Sequence, residues 1–178
     1  MNPEPGSAAA RLVAHGEVAI RDATLADVER LWSLVNELAR YERLEREGSA
    51  ERLAASLFGE SWPPIECLVA EHGDRLVGYA IFYGTYSTFA TRPLLWLEDL
   101  FVAESHRGSG LGHALLSAVA RVAVARACAR MDWAVLDWNT PAIEFYERLG
   151  AKRHGGWDAY RVEGEELERL AADPHRPA

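Results

Sequence analysis

Apolar positions along the chain follow two periods, one typical of strands and the other typical of helices. Short apolar runs bounded by turn-forming or charged residues predict strands at residues 18–23, 66–72, 75–86, 93–103, 131–138 and 157–162. Only Gly73 and Asp74 separate the second run from the third, which predicts a hairpin. These strands are expected to form one sheet.

Helical spacing of apolar residues predicts a helix ending near Tyr41, a short helix over residues 50–58, and a third helix after a glycine-rich turn. Before the first of these, Thr24 with Asp27 three residues later resembles a helix-capping pair. The third helix has an apolar side and a polar side, so we expect it to pack on a sheet. A fourth helix, capped by Thr140 and stopped at Gly150, precedes a short polar helix over residues 163–172. Because strands and helices intermix, the expected fold class is α/β with a mixed sheet.

The length and composition indicate one globular domain. The chain has 178 residues, of which 49% are hydrophobic. Residues 1–17 and 173–178 are rich in proline, glycine and serine and predict flexible tails, which leaves residues 18–172 as the folded domain. The first segment has neither a basic start nor a long apolar core, so we expect no secretion signal, no membrane association and a cytoplasmic location.

The formal net charge of -8, without a basic stripe, excludes nucleic acid as an expected partner and favours a cationic small molecule. Cys67 and Cys128 lack the spacing of metal ligands. They are therefore expected to be buried thiols of a protein in a reducing compartment, and no metal is expected.

A glycine-rich turn joins an apolar strand to a helix in the segment FVAESHRGSGLGHALL. Bare backbone amides at the start of a helix attract anions, so this turn predicts a phosphate-binding loop. A dinucleotide-binding fingerprint would need glycine where His113 stands, and a Walker loop would need Gly-Lys-Ser/Thr. What remains is Arg107-x-x-Gly110-x-Gly112, a spacing suited to a pyrophosphate.

That spacing resembles the Arg/Gln-x-x-Gly-x-Gly/Ala signature of the GCN5-related N-acetyltransferase (GNAT) superfamily. The segment NTPAIEFYERLGA at residues 139–151 is similar to the second hallmark of the family, an Asn that contacts pantetheine followed by a helical Tyr near the coenzyme A sulfur. Together with NELARYE and LEDLFV, these segments closely resemble the diamine (spermidine/spermine) and thialysine acetyltransferase branch.

The resemblance implies a GNAT fold, with a mixed, mostly antiparallel sheet of about six to seven strands flanked by helices. It also implies acetyl-CoA as cosubstrate, no metal, and a homodimer in which the strand at residues 157–162 is a plausible contact. The residues that the resemblance assigns to acetyl-CoA are Leu100, Phe101, Val102, Arg107, Gly108, Ser109, Gly110, Leu111, Gly112, His113, Asn139, Ala142, Tyr146 and Arg148.

Particular roles within this set also follow from the resemblance. A backbone N–H near Leu100, at a bulge, is expected to hold the thioester oxygen, while Phe101 and Val102 align the pantetheine like an added strand. Asn139 could instead be a turn residue, and Arg148 is either a ligand of the 3′-phosphate or a surface arginine.

Two residues are expected to carry the chemistry. By resemblance, Glu98 draws a proton from the substrate amine through water, and Tyr146 protonates the leaving thiolate. Adjacent strand residues point to opposite faces, so only one of Glu98 and Asp99 is expected to face a buried cleft, and Asp99 is expected to be structural. Phe145, beside Tyr146, is expected to face the core.

Tyr41, Glu42 and Glu98 are the expected substrate-binding residues. The chain has Ser-Thr-Phe at residues 87–89, where polyamine enzymes tend to carry Asp-Pro-Trp, and AKRHGG at 151–156, where the branch has acids. Fewer acids predict a primary amine of modest charge, such as a diamine, thialysine or a lysine-like amino acid, rather than spermine. The alternatives are an acetyltransferase of protein lysines or N-termini, and a non-catalytic acyl-CoA-binding module.

Overall fold

The computed structural model of the protein describes residues 13–45, 47–60, 62–156 and 158–172. They belong to two compact units, the first extending to Leu136 and the second beginning at Asp137. The predicted C-terminal tail, and most of the predicted N-terminal tail, lie outside the described residues. Among the helices of the described part, none is long and apolar enough to cross a membrane.

A six-stranded sheet, with the strands in chain order, organises the first unit. Its strands are β1 (Val13–His15), β2 (Val18–Asp22), β3 (Glu66–His72), β4 (Arg75–Ser87), β5 (Arg92–Val102) and β6 (Met131–Asp132). Neighbouring strands are antiparallel except β5 and β6, which run parallel. The predicted mixed, mostly antiparallel sheet is therefore confirmed.

Three segments differ from the predicted strand pattern. The sheet begins earlier than expected, because β1 forms inside the stretch predicted as a tail. β6 covers only Met131–Asp132 of the predicted run 131–138, and residues 158–162 are not a strand, while Trp157 lies outside the described residues. Apolar periodicity reports what a segment can bury, but a strand also needs a neighbour with which to form hydrogen bonds.

Helices cover both faces of the sheet. In the first unit these are α1 (Val28–Glu42), α2 (Ala50–Phe58) and α3 (Leu111–Ala125). Leu31 and Leu34 of α1 pack with Tyr79 and Ile81 on one face of β4. α3 lies on the opposite face, where a Cβ added to Gly78 would come within 3.2 Å of the Leu115 side chain. The same Cβ would lie 2.9 Å from the Phe101 carbonyl oxygen, so glycine at this position permits the close approach of both β5 and α3. The predicted apolar side of α3 is buried.

A buried carboxylate fixes the start of α1 to the sheet. Asp27 is 1% exposed, and its Oδ2 accepts hydrogen bonds from the backbone N–H and hydroxyl of Thr24, both at 2.8 Å. Arg21 of β2 donates to both oxygens of Asp27, at 2.6 and 2.9 Å, and Arg30 of α1 donates to Oδ1 at 2.6 Å. These bonds hold the pKa of Asp27 well below its usual range. The predicted pairing of Thr24 with Asp27 is confirmed.

Candidate active site

A bulge in β5 brings two carboxylates to the same face of the sheet. Ile81 of β4 is opposite Asp99, but the next residue, Phe82, is opposite Leu97, so Glu98 is an extra residue in β5. The expectation that Glu98 and Asp99 face opposite ways is wrong, because a bulge interrupts strict alternation.

The two carboxylates each accept a hydrogen bond from a tyrosine of β4. The hydroxyl of Tyr79 donates to Asp99 at 3.2 Å, and that of Tyr83 donates to Glu98 at 3.3 Å. Tyr79 and Tyr83 are four residues apart on one strand and therefore share a face. Glu98 and Asp99 thus lie side by side, on the face of the sheet that α1 covers.

Glu98 is exposed to solvent, although one of its oxygens is firmly held. The indole Nε1–H of Trp96 donates to Oε2 at 2.8 Å, and the Tyr83 hydroxyl donates to the same oxygen. Trp96 and Tyr83 are paired across β4 and β5, so both donors come from a rigid part of the sheet. This arrangement fixes the carboxylate orientation while leaving it accessible to water.

Asp99 is half-buried and has a different electrostatic environment. Burial raises its pKa to about 6, the negative charges of Glu98 and Glu42 contribute in the same direction, and the hydrogen bond from Tyr79 opposes them. Burial and the neighbouring Asp99 also raise the pKa of Tyr79, whose side chain is fully buried, so it remains a hydrogen-bond donor. Asp99 therefore changes its charge in the range where enzymes commonly operate.

The end of α1 brings a third carboxylate to this region. Tyr41 and Glu42 occupy the last turn, and the helix ends at Arg43, which has a left-handed conformation with φ 58°. Glu42 is half-buried, and burial raises its pKa. The negative charge of Glu42 also raises the pKa of Asp99. The predicted substrate residue Glu42 therefore lies close enough to interact electrostatically with the two carboxylates of the bulge.

The predicted phosphate-binding loop connects a short 3₁₀ turn, Glu104–His106, to α3. Gly108 and Gly110 have φ values of 75° and 87°, which glycine adopts without the strain that a side chain would bring. A Cβ added to Gly108 would meet nothing within 4 Å, so the backbone there is accessible. Exposed amides directly before a helix N-terminus suit the pyrophosphate of an acyl carrier.

Arg107 connects the loop with both predicted binding regions. Its Nε–H donates to the carbonyl of Val102 at 3.0 Å, and its guanidinium lies 5.0 Å from the ring centre of Tyr41 and 5.7 Å from that of Phe101. Phe101 and Val102 were assigned to the cosubstrate and Tyr41 to the substrate. The structure therefore brings residues predicted for the two ligands into contact at one cation–π cluster.

The edge of β5 that faces β6 is paired with that strand over only a short length. Of the strands described, β6 pairs with β5 only at Leu95 and Trp96. Beyond Trp96 that edge of β5, including Leu100, Phe101 and Val102, has no neighbouring strand among the described residues. An unpaired edge can bind an extended chain containing amide groups, such as pantetheine.

The remaining predicted residues lie in the second unit, on α4 (Thr140–Arg148), which is followed by α5 (Gly164–Ala172). Asn139 is buried and is the N-cap of α4, its Oδ1 accepting from the Ala142 N–H at 3.3 Å. The prediction that Thr140 is the cap is therefore wrong, because the amide oxygen one residue earlier reaches the free N–H.

The side chains of α4 were predicted to contact the acyl carrier. The half-buried rings of Phe145 and Tyr146 pack on each other with centroids 5.1 Å apart, and exposed Arg148 lies 3.7 Å from Glu144. The ligand and acid roles of Asn139, Ala142, Tyr146 and Arg148 remain predictions.

Several residues of the site were not identified from the sequence. Tyr79, Tyr83 and Trp96 hold the carboxylates, and Asp99, expected to be structural, lies beside Glu98. Two sequence signals for these residues exist. One is the pair of tyrosines four residues apart in a mainly apolar strand, and the other is the Trp two residues before Glu98. They could be interpreted only once the bulge was known.

Comparisons with known proteins identify the family of this chain. The family model for the acetyltransferase (GNAT) family matches residues 29–151. Thialysine N-epsilon-acetyltransferase of Sus scrofa is 39% identical over 167 residues, covering 86% of this chain and 97% of that protein. Spermidine/spermine N(1)-acetyltransferase-like protein 1 of Homo sapiens is 32% identical over 164 residues, which cover 85% of this chain and 23% of the human protein.

A solved structure shares the fold as well. An integron cassette protein from the mobile metagenome of V. cholerae superposes with a TM-score of 0.74 at 28% identity, covering 87% of this chain and 98% of that one. The family match spans more than half of the chain, and it includes the bulge, the glycine loop and α4. The chain is thus an acyl-transferring enzyme, and it belongs to the acetyltransferase (GNAT) family.

Proposed function

We propose that the protein transfers the acetyl group of acetyl-CoA to a primary amine of modest positive charge, such as a short diamine, thialysine or a lysine-like amino acid. The observation that carries this proposal is the grouping of three carboxylates, Glu42, Glu98 and Asp99, beside the Arg107 and Tyr41 cluster. Closely spaced carboxylates attract an ammonium group. The relatives named for thialysine and for spermidine/spermine support an amine acceptor.

Each residue of the bulge has a proposed role in the reaction. Glu98 removes a proton from the substrate ammonium through a water molecule, for which its exposed carboxylate, oriented by Trp96 and Tyr83, is well placed. Asp99, in its ionised form, holds the positive charge of the substrate, and Glu42 adds to the negative potential. The neutral amine then forms the new N–C bond while the C–S bond breaks.

The glycine loop and the open edge of β5 are proposed to hold the cosubstrate. Bound acetyl-CoA would supply its acetyl group as a thioester. The amides from Gly108 to Gly112 fit the diphosphate, and the edge at Phe101 and Val102 fits the pantetheine arm. A backbone N–H near Leu100 would hold the thioester oxygen, and Tyr146 would return a proton to the thiolate.

An acceptor panel tests the proposal. Release of free thiol from acetyl-CoA is measured with putrescine, lysine, thialysine, ornithine, spermidine, spermine and a lysine peptide. We expect the highest kcat/KM with a short diamine or a lysine-like amino acid, because residues 87–89 and 151–156 lack the acids that the polyamine branch carries and that a longer polycation would need. A strong preference for spermine over every shorter amine would refute the proposed charge class, and turnover of the peptide alone would identify a protein acetyltransferase.

Asp99 predicts a particular pH dependence of substrate binding. As pH falls through about 6, Asp99 takes up a proton and loses its charge, so the KM for the amine is expected to rise. Asp99→Asn is expected to raise this KM by at least about tenfold at pH 8, the lower limit for one hydrogen bond to a charged group, and to remove the rise near pH 6. The measurement is steady-state kinetics in the amine between pH 5.5 and 8.5.

The same substitution has an expected effect on stability. The folded-state pKa of Asp99 lies above its unfolded value, so ionisation disfavours the folded state. This cost is complete above about pH 6, decreases as pH falls below 6, and is absent only below the unfolded pKa of about 4. Asp99→Asn should therefore raise the melting temperature at pH 8 more than at pH 5. Asp74→Asn, at an exposed turn, is the control and should change neither the KM for the amine nor the melting temperature. An unchanged KM profile in Asp99→Asn would contradict the role given to Asp99.

We further propose a cytoplasmic location and a homodimer. Cys67 and Cys128 are free thiols, in keeping with a reducing compartment. The dimer rests on the resemblance to the diamine and thialysine acetyltransferases. Sedimentation equilibrium at micromolar concentration would test it, and a mass of one chain would contradict it.

A further inference from the structure

We propose that the hairpin formed by β1 and β2 is part of the acyl-carrier site, in which His15 positions the Gly110 N–H for the diphosphate. This inference rests on the proposed function, because it assumes that the glycine loop binds acetyl-CoA. His15 lies in a stretch that the sequence predicts as a tail. It is 94 positions away from the loop residue that it contacts.

The contact between His15 and the loop is a hydrogen bond of defined direction. The His15 Nε2 lies 2.8 Å from the carbonyl oxygen of Ser109. A carbonyl oxygen can only accept, so the His15 Nε2 must carry the proton. The ring therefore fixes the orientation of the peptide group between Ser109 and Gly110.

The geometry of that peptide group connects the bond to ligand binding. In a trans peptide the C=O and N–H point in opposite directions. When His15 draws the Ser109 carbonyl toward β1, the N–H of Gly110 is turned away from β1. Gly110 is the N-cap of α3, so this N–H stands at the positive end of the helix, where an anion binds.

The same ring also limits the space at Gly110. A Cβ added there would lie 3.2 Å from the His15 Cε1 and 3.4 Å from its Nε2. Gly110 also has a φ of 87°, so glycine is needed at this position for two reasons. The close packing of the ring against the backbone holds an otherwise flexible glycine in one conformation.

A second chain of contacts runs from the hairpin to the beginning of the loop. Glu17 lies 3.2 Å from the His72 Nε2, and the His72 Nδ1 lies 3.1 Å from the His106 Nε2. The carbonyl of His106 accepts a hydrogen bond from the Ser109 hydroxyl at 2.7 Å. The hairpin thus supports the loop at both ends, through His15 and through Glu17.

Such support is expected to favour ligand binding by preorganisation. A loop with glycines in the left-handed region loses much conformational entropy when a ligand orders it. A loop that is already fixed by the hairpin loses less, and the affinity rises accordingly. His15 is therefore a positioning residue, whose loss should affect binding of the acyl carrier and not the chemical step.

Calorimetric titration with coenzyme A tests the inference. His15→Ala is expected to weaken coenzyme A binding about 2- to 12-fold, the value of one hydrogen bond, and to raise the KM for acetyl-CoA by the same factor. The kcat at saturating acetyl-CoA should stay unchanged. His15→Gln, which carries an N–H donor at nearly the same place, should restore most of the affinity. His154→Ala, at an exposed histidine, is the matched control.

The possible outcomes distinguish the inference from the function on which it rests. No binding of coenzyme A by the unmodified protein would overturn the proposed function itself. Normal affinity in His15→Ala, with the unmodified protein binding well, would overturn only the role of His15. A loss in His15→Gln equal to that in His15→Ala would also overturn it, since the N–H donor would then not matter.

Discussion

Replacing Tyr146 by Phe is expected to lower kcat by roughly 10- to 1,000-fold, a range that overlaps the roughly 100- to 10,000-fold contribution typical of general acid–base catalysis. Tyrosine side chains in general carry their proton at neutral pH, so a phenol at this position can give one to a departing thiolate. Phe preserves the ring that packs on Phe145, so the affinity for coenzyme A should be almost unchanged. Single-turnover kinetics with acetyl-CoA, which isolate the chemical step, provide the measurement.

A second tyrosine in the same unit supplies the control for this experiment. Tyr160 is 94% exposed, and Tyr160→Phe should leave kcat unchanged. If Tyr146→Phe has the single-turnover rate of the unmodified protein, Tyr146 is not the acid. If both substitutions slow the reaction equally, the effect cannot be assigned to proton transfer from Tyr146.

Replacing Asp27 by Ala is expected to be the most destabilising of the substitutions considered. The change removes the carboxylate that holds Arg21, Arg30 and the Thr24 N–H. It leaves Glu71 as the one carboxylate that both guanidinium groups still contact among the described residues. Loss of one partner of a buried pair commonly costs 3–5 kcal/mol; we expect about 2–4 kcal/mol here, because both arginines retain contact with water. Urea unfolding at pH 7 measures the difference in the free energy of unfolding.

The pH dependence of unfolding gives a separate test of the Asp27 cluster. The folded-state pKa of Asp27 lies below its unfolded value, so its contribution is complete above about pH 4 and is lost as pH falls further. The difference between Asp27→Ala and the unmodified protein should therefore shrink below pH 4. Glu166→Gln, which removes an exposed ion pair with Arg169, should change stability by less than about 1 kcal/mol. An equally small effect of Asp27→Ala would show that the buried pair is not stabilising.

Much of the fold could be predicted because local patterns and tertiary packing agree. The apolar side of α3, the pairing of Thr24 with Asp27, and the hairpin around Gly73 all depend on residues close together in the chain. The glycine loop was also identifiable, because Gly108 and Gly110 take backbone conformations that favour this residue.

The features that the sequence did not reveal depend on pairing between distant segments. The bulge at Glu98 is defined by its register against β4, and no local pattern marks the extra residue. The contact between His15 and Ser109 likewise joins segments far apart in the chain. The predicted strand at residues 131–138 is shorter than expected for the same reason, since its apolar pattern does not show that β5 pairs with it only at Leu95 and Trp96.

The extra residue in β5 has a consequence for any attempt to redesign the enzyme. One insertion into the strand brings Glu98 alongside Asp99, and bulges also increase the local twist of a strand. In the proposed reaction, acceptor preference and donor alignment therefore depend on the same backbone irregularity. On that proposal, point substitutions of the acids would change selectivity separately, whereas deleting or shifting the insertion would disturb both ligands at once.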